Sequence, residues 1–403
     1  MEPMPRAVPR VDIKRRWLLA AAGTGAAAGL GGWNAAARAQ EAKPLPPVAS
    51  FKDASRVIVH SANGIETQRS ALGSSAITDI DVLFVRNNLA SPDAAIVENA
   101  DAWRIEIDGV TSPRTLTLAE LRNMGLACVA MVLQCSGNGR GFFEHKASGS
   151  QWKVGAAGNV FWSGVPVKDV VKALGGVRGG IRYMTGTGGE TIPQGIDPLT
   201  VMVERSVPWT AMEEAILAWE LNGRPIPLAH GGPLRLIIPG YYGVNNIKYI
   251  KRLAFTENET AANIQKSGYR VREIGKKGDP SQASMWEMNL KSFVTSPAGG
   301  ETLRPGPALV HGVAFTGGAP VKSVEVSVDD GKSWQPAEFF GPDLGRYAWR
   351  QFVARVQLPA GRHRITSRAT AADGTVQPEL RVENERAYAH NGWRDHAVEV
   401  TVA

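Results

Sequence analysis

The group with the most chemical potential in this chain is the thiol of Cys135, one of two cysteines in 403 residues, set in Gln134-Cys135-Ser136-Gly137-Asn138-Gly139-Arg140. A thiol beside a glycine-rich turn and an arginine is inert, nucleophilic or metal-binding, and nearby cationic charge favours the thiolate that the last two roles need. A cysteine hydrolase would also need a histidine base, which spacing alone does not identify.

The element that must position this thiol is the apolar, partly β-branched run from Ala127 to Cys135, which reads as a buried strand ending at the turn Ser136–Gly139. Seven residues of strand place Cys128 and Cys135 roughly 23 Å apart and on opposite faces. A disulfide needs Cα atoms within about 7 Å, so the two do not pair. Cys128 is then expected to be a small buried hydrophobe.

Apolar residues make up 43% and charged residues 21% of the chain, enough for two substantial cores. The 44 glycines and 25 prolines favour turn-rich strands over a helical bundle. The net charge of +7 falls to +3 once residues 1–40, with six basic and two acidic side chains, are set aside. The remaining Lys and Arg are scattered, without basic runs or aromatic interleaving, so no nucleic-acid partner is expected.

Residues 1–39 read as an export signal. Lys14-Arg15-Arg16-Trp17-Leu18-Leu19 opens an Ala/Gly-rich apolar stretch to about Gly32, followed by Ala37-Arg38-Ala39 as a cleavage site. The stretch is too short and too weakly apolar for a membrane span. The Arg15-Arg16 pair points to twin-arginine export and a periplasmic destination.

Gln134-Cys135-Ser136-Gly137-Asn138-Gly139-Arg140 resembles the Gln-Cys-Ala-Gly-Asn-Arg-Arg motif of the sulfite oxidase family. Phe84-Val85-Arg86-Asn87-Asn88 is similar to that family's Arg-Asn-His segment, and Trp152 with Gly155-Ala156 and Trp162-Ser163-Gly164-Val165 to its tryptophan run. Asp197-Pro198 with Arg205-Ser206-Val207-Pro208, Leu217–Gly223, His230–Arg235 through Lys248, and Gln265–Arg270 follow in the family's order. The resemblance covers nearly everything after residue 80.

The resemblance implies a molybdenum-molybdopterin cofactor with Cys135 as the protein ligand to the metal. Softness of a thiolate suits such a metal. It implies Arg86 and Arg140 as clamps on a sulfite oxyanion, for which a rigid, permanently charged guanidinium fork is apt. Tyr269 is expected to donate a hydrogen bond and Trp152 to wall the pocket. His230, Arg235 and Lys248, with Asn88, Asp197, Ser206 and Asn246, are expected to hold the pterin and its phosphate. The sequence departs from the family at Asn88, where a histidine is usual, in the loss of an arginine within Gly243–Lys248, and at Trp393-Arg394-Asp395-His396.

The implied fold is α+β: a mixed α/β cofactor domain over residues 79–285, preceded by a linker or extension at 40–78. An all-β immunoglobulin-like sandwich at 286–403 follows. Short alternating strands such as Val324–Val328, with Asp330-Gly331 as a hairpin turn, support the sandwich independently. In the family that domain makes a homodimer contact. With no Cys-x-x-Cys-His, no haem is expected in this chain, so electrons would pass to an external acceptor such as a c-type cytochrome. The implied activity is sulfite dehydrogenation. A sulfane dehydrogenase subunit and a molybdenum methionine sulfoxide reductase are the neighbouring alternatives, and a binding module, suggested by the sandwich alone, would leave Cys135 and Arg86 unexplained.

Overall fold

The apolar run does form a strand, Ala127–Gln134, in a computed structural model that describes residues 43–403. The export-signal expectation for residues 1–39 lies outside the described residues. Ala127–Gln134 is the edge of a five-stranded antiparallel sheet ordered Arg224–Pro225, Ile216–Leu221, Ala157–Pro166, Ala127–Gln134, with Arg235–Ile237 also paired to Ile216–Leu221. An edge strand needs partners for its outer backbone groups. Here Val132 N donates to Tyr347 O at 2.8 Å, from the C-terminal half.

Burial along the strand corrects the expectation for Cys128, which is exposed. Ala130 to Gln134 are buried, and Ala127 and Val129 are half-buried against the core behind the sheet, while Cys128 between them faces the opposite, uncovered side.

A second five-stranded sheet, Arg114–Thr117, Arg104–Asp108, Arg252–Thr256, Tyr183–Thr187, Glu204–Pro208, is antiparallel except where Arg104–Asp108 meets Arg252–Thr256. Val165, Leu217 and Leu236 of the first sheet and Ile105, Met184, Val207 and Leu253 of the second share one core, capped by the helix Val167–Ala173. That seven-residue helix is the longest among the described residues, in keeping with the glycine and proline content. None is long and apolar enough to cross a membrane.

Residues 43–78, within the stretch read as a linker or extension, include a folded hairpin. Val57–Ser61 and Gly64–Thr67 form a hairpin that pairs on to Val85–Arg86, and the buried Glu66 accepts from Lys153 N and Gly155 N at 2.8 and 3.0 Å. This third sheet places Arg86.

The C-terminal part is a sandwich of a four-stranded sheet (Lys291–Ser296, Gly306–Phe315, Arg350–Leu358, Glu338–Phe340) on a five-stranded one (Thr302–Leu303, Val398–Val402, Gly361–Ala371, Val321–Ser327, Gln335–Pro336). Inward residues such as Val310, Val326, Phe352 and Ile365 fill it, giving the immunoglobulin-like α+β architecture expected. Asp330 and Gly331 both take positive φ, 63° and 81°. The hairpin loop is nonetheless longer than two residues, because Asp329 ties it down through Ser327 Oγ, Ser333 N and Ser333 Oγ.

The two parts are joined by a continuous core of Leu72, Val132, Tyr242, Phe293, Phe315, Trp349 and Tyr388. Parting them would expose several large side chains at about 1.5–3 kcal/mol each, so groups from the sandwich are held rigidly against the cofactor half.

Candidate active site

Cys135 N donates to Ala156 O at 2.9 Å, and Asn138 N to Cys135 O at 2.9 Å, so the chain turns as soon as the strand ends. Asn138 locks the turn: its Nδ2 donates to Gln134 Oε1 and Val154 O, both 3.1 Å, and its Oδ1 accepts from Ala156 N at 3.1 Å. Gly137 and Gly139 are required. A Cβ on Gly137 would meet the Arg140 guanidinium at 2.6 Å, and one on Gly139, at φ 105°, would meet the His390 ring at 2.5 Å. The thiol is therefore fixed, partly buried and unpaired in any disulfide.

Two cavities meet at this thiol, both lined by Cys135, Arg86, Asn88 and Tyr269. The inner one continues along Glu190, His230, Arg235, Asn246 and Lys248. The outer one opens past Arg140, Arg386 and Tyr388.

The inner cavity carries more cations than carboxylates, Glu190 being the one acidic side chain in its lining. Arg235 donates Nη1 to His230 O at 2.8 Å and Nε to Asn246 O at 3.2 Å, and its guanidinium lies 5.1 Å from the Trp162 ring. Lys248 Nζ donates to Asn87 Oδ1 and Ala229 O. None of Lys52, Arg86, Arg140, Arg235 and Lys248 is ion-paired among the described residues.

Burial, first, and the neighbouring cations push Lys248 and His230 well below their usual ranges, and burial alone takes Arg235 to about 10, against Tyr249 and Glu190. Glu190 is pushed up to about 7 by burial, against the pull of Lys248, Lys251 and Arg235, and its Oε2 has no partner. Buried unpaired cations cost several kcal/mol each. A phosphate-bearing pterin supplies the missing negative charge and the acceptors, so the donor set fits molybdopterin.

In the outer cavity Arg140 donates Nε to Arg386 O at 3.2 Å and Nη1 to Ser150 O at 3.3 Å, with its guanidinium 5.3 Å from the Tyr388 ring. Tyr269 lies in the π-turn region after Ile264–Gly268. Burial and then Tyr388 hold its phenol above the usual range, so it stays protonated and able to donate.

Arg86, Cys135, Arg140, Tyr269, Asn88, His230, Arg235, Asn246 and Lys248 thus each line one or both of the two cavities. Asn246 mostly serves its own loop, accepting from Ile238 N at 2.7 Å and donating to Tyr241 O and Tyr242 O. Three expected residues lie outside both cavities. Trp152 is wholly buried in the core behind Cys135, with its ring 4.8 Å from that of His60. Asp197 is exposed and caps the turn Pro198–Val201 by accepting from Leu199 N at 3.0 Å. Ser206 is buried, with its Oγ 2.7 Å from Thr185 Oγ1 and accepting from Thr260 N. Glu190, Arg386, Tyr388 and Lys52 were not singled out by sequence. Lys52 lies in the supposed linker, and a lone buried charge leaves no periodic signal.

A cationic cofactor cavity ending at a strand-tip thiol, in a mixed α/β domain joined to a β-sandwich, defines a molybdopterin-binding oxidoreductase. Residues 92–264 match the oxidoreductase molybdopterin binding domain, and residues 282–402 the Mo-co oxidoreductase dimerisation domain. The chain is 29% identical over 354 residues to mitochondrial sulfite oxidase of Macaca fascicularis, covering 82% of this chain and 63% of that protein. It is 25% identical to sulfite oxidase of Arabidopsis thaliana, covering 81% of this chain and 89% of that one. The fold matches the sulfane dehydrogenase SoxCD of Paracoccus pantotrophus with a TM-score of 0.70 at 24% identity, over 84% and 87% of the two chains. The chain belongs to the sulfite oxidase family of molybdopterin oxidoreductases.

Proposed function

We propose that this chain is a sulfite dehydrogenase: sulfite and water become sulfate, with two protons and two electrons released, the electrons leaving to an external acceptor such as a c-type cytochrome. The observation that carries this reading is the position of Cys135 at the junction of a cationic inner cavity and an arginine-lined outer one. Bound molybdenum-molybdopterin supplies the two-electron redox chemistry. His230, Arg235 and Lys248 would hold its anionic end, and the Cys135 thiolate its metal. Arg86 and Arg140 draw the sulfite dianion into the outer cavity and orient its oxygens through charge-assisted hydrogen bonds. Tyr269, kept protonated, donates to the reacting oxyanion. Export to the periplasm by the twin-arginine route rests on Arg15-Arg16. Homodimerisation is supported by the match of residues 282–402.

The test is sulfite-dependent reduction of ferricytochrome c or ferricyanide by molybdenum-replete protein. Turnover is expected. Its absence, with turnover of a sulfane sulfur substrate instead, would replace sulfite as the substrate.

A further inference from the structure

Lys52 comes from the N-terminal segment that precedes the matched molybdopterin-binding region, and nothing in the motif comparison gives that segment a role. Its ammonium is buried and faces three acceptors: Ile80 O, Leu83 O at 2.6 Å, and His230 Nε2 at 2.8 Å. An ammonium carries three N–H donors and no acceptor, so these partners saturate it. While Lys52 is charged, His230 Nε2 is the accepting nitrogen; burial lowers Lys52 to about 7 against the pull of Asp81, so this arrangement holds below neutral pH. In that state the ring, kept neutral by burial and then by Lys52, Lys248 and Arg235 and with the Ile80 carbonyl also beside it, carries its single proton on Nδ1. Nδ1 has no protein partner among the described residues, and His230 lines the inner cavity. The segment is latched at the same place by Ala49, which packs with Ala229, and by Phe51, whose ring lies 6.1 Å from that of His230.

We propose that Lys52 is a positioning residue of the cofactor site, holding His230 as the tautomer that offers Nδ1–H to the anionic end of molybdopterin. The inference rests on the molybdopterin reading of the inner cavity and is independent of which sulfur compound is oxidised. A lost lysine would let the imidazole turn or change tautomer, and the cofactor would lose one oriented donor.

Purified holoprotein, Lys52→Met, His230→Ala and the double variant should be compared for molybdenum and pterin per chain and for the rate of cofactor loss on dialysis, with thermal unfolding as the fold control. Lys52→Met and His230→Ala are each expected to lose cofactor about tenfold faster than the unmodified protein, and the double variant no faster than His230→Ala within about twofold, since Lys52 acts through His230. Cofactor retention by Lys52→Met equal to the unmodified protein, or effects that multiply in the double variant, would overturn the proposal. Should Lys52→Met not fold, ¹⁵N-histidine NMR of the unmodified protein at pH 6, where Lys52 is charged, decides: a His230 protonated at Nε2 contradicts it. Unmodified protein matured in a competent host yet lacking pterin would instead sink the cofactor reading itself.

Discussion

The rings of Tyr269 and Tyr388 stack face to face, with centroids 5.0 Å apart and planes 5° from parallel. Tyr269 belongs to the cofactor half and Tyr388 to the sandwich half. Ala387 and Ala389 on either side of Tyr388 take positive φ, 50° and 58°, a conformation that costs non-glycine residues energy and persists only when the surroundings enforce it. Asn384 does so by donating to Tyr388 O and accepting from Tyr388 N, and Ala389 N donates to Ser136 O at 3.0 Å.

This stack holds Tyr269 against the outer cavity and supports the Arg140 guanidinium. Tyr388→Phe keeps the stacked ring and is expected to leave kcat/KM within about threefold. Tyr388→Ala is expected to raise KM for sulfite about tenfold, consistent with an aromatic pair worth about 0.5–1.5 kcal/mol beyond its burial. Steady-state kinetics of both variants checks this, and equal KM values in all three proteins would remove Tyr388 from the site.

Arg86 lines both cavities and has no carboxylate partner among the described residues, so its charge is available to an anion. A charge-assisted hydrogen bond is worth about 1.5–3 kcal/mol. Arg86→Met should therefore raise KM for sulfite about 10- to 100-fold. The measurement is kcat and KM across sulfite concentrations. An unchanged KM would place Arg86 outside substrate binding.

The sequence exposed the parts of this site that lie in contiguous motifs on strand ends and tight turns. Cys135 and Arg140 share one glycine-dependent turn, and His230 and Arg235 flank another, so local spacing alone brings each pair close. The sandwich was equally readable, because alternating burial follows the period of two. Residues contributed singly by distant segments were not legible: Lys52, Glu190 and Tyr388 gain meaning only when three separate stretches meet. Ser206 and Asp197 lie within matching segments, yet their side chains are spent on Thr185 and Leu199 N. Cys128 was read as buried because an apolar strand does not reveal where its sheet stops being covered.

Glu190 predicts a pH effect in cofactor-free protein. Its carboxyl is pushed from 4.5 up to about 7 in the folded chain, so between these values the unfolded chain loses the proton first and stability falls as pH rises. The loss is at most about 3 kcal/mol, complete above pH 7 and absent below about pH 4. Glu190→Gln removes it. Urea unfolding should show the variant matching the parent near pH 4 and exceeding it at pH 8. A pH-independent difference would contradict the assignment.

Cys128 is exposed on an edge strand and separate from the site. Cys128→Ser is expected to change stability by less than about 0.5 kcal/mol and to leave turnover and metal content as they were. A loss of molybdenum in that variant, measured by elemental analysis, would show that the wrong sulfur has been assigned.

The central claim is that the Cys135 sulfur is bonded to molybdenum. X-ray absorption at the molybdenum K-edge of the purified protein and of Cys135→Ser reads that bond directly. The account predicts that the variant, still folded and still holding pterin, loses one sulfur from the metal's coordination and all turnover with it. An unchanged sulfur count in Cys135→Ser would contradict it.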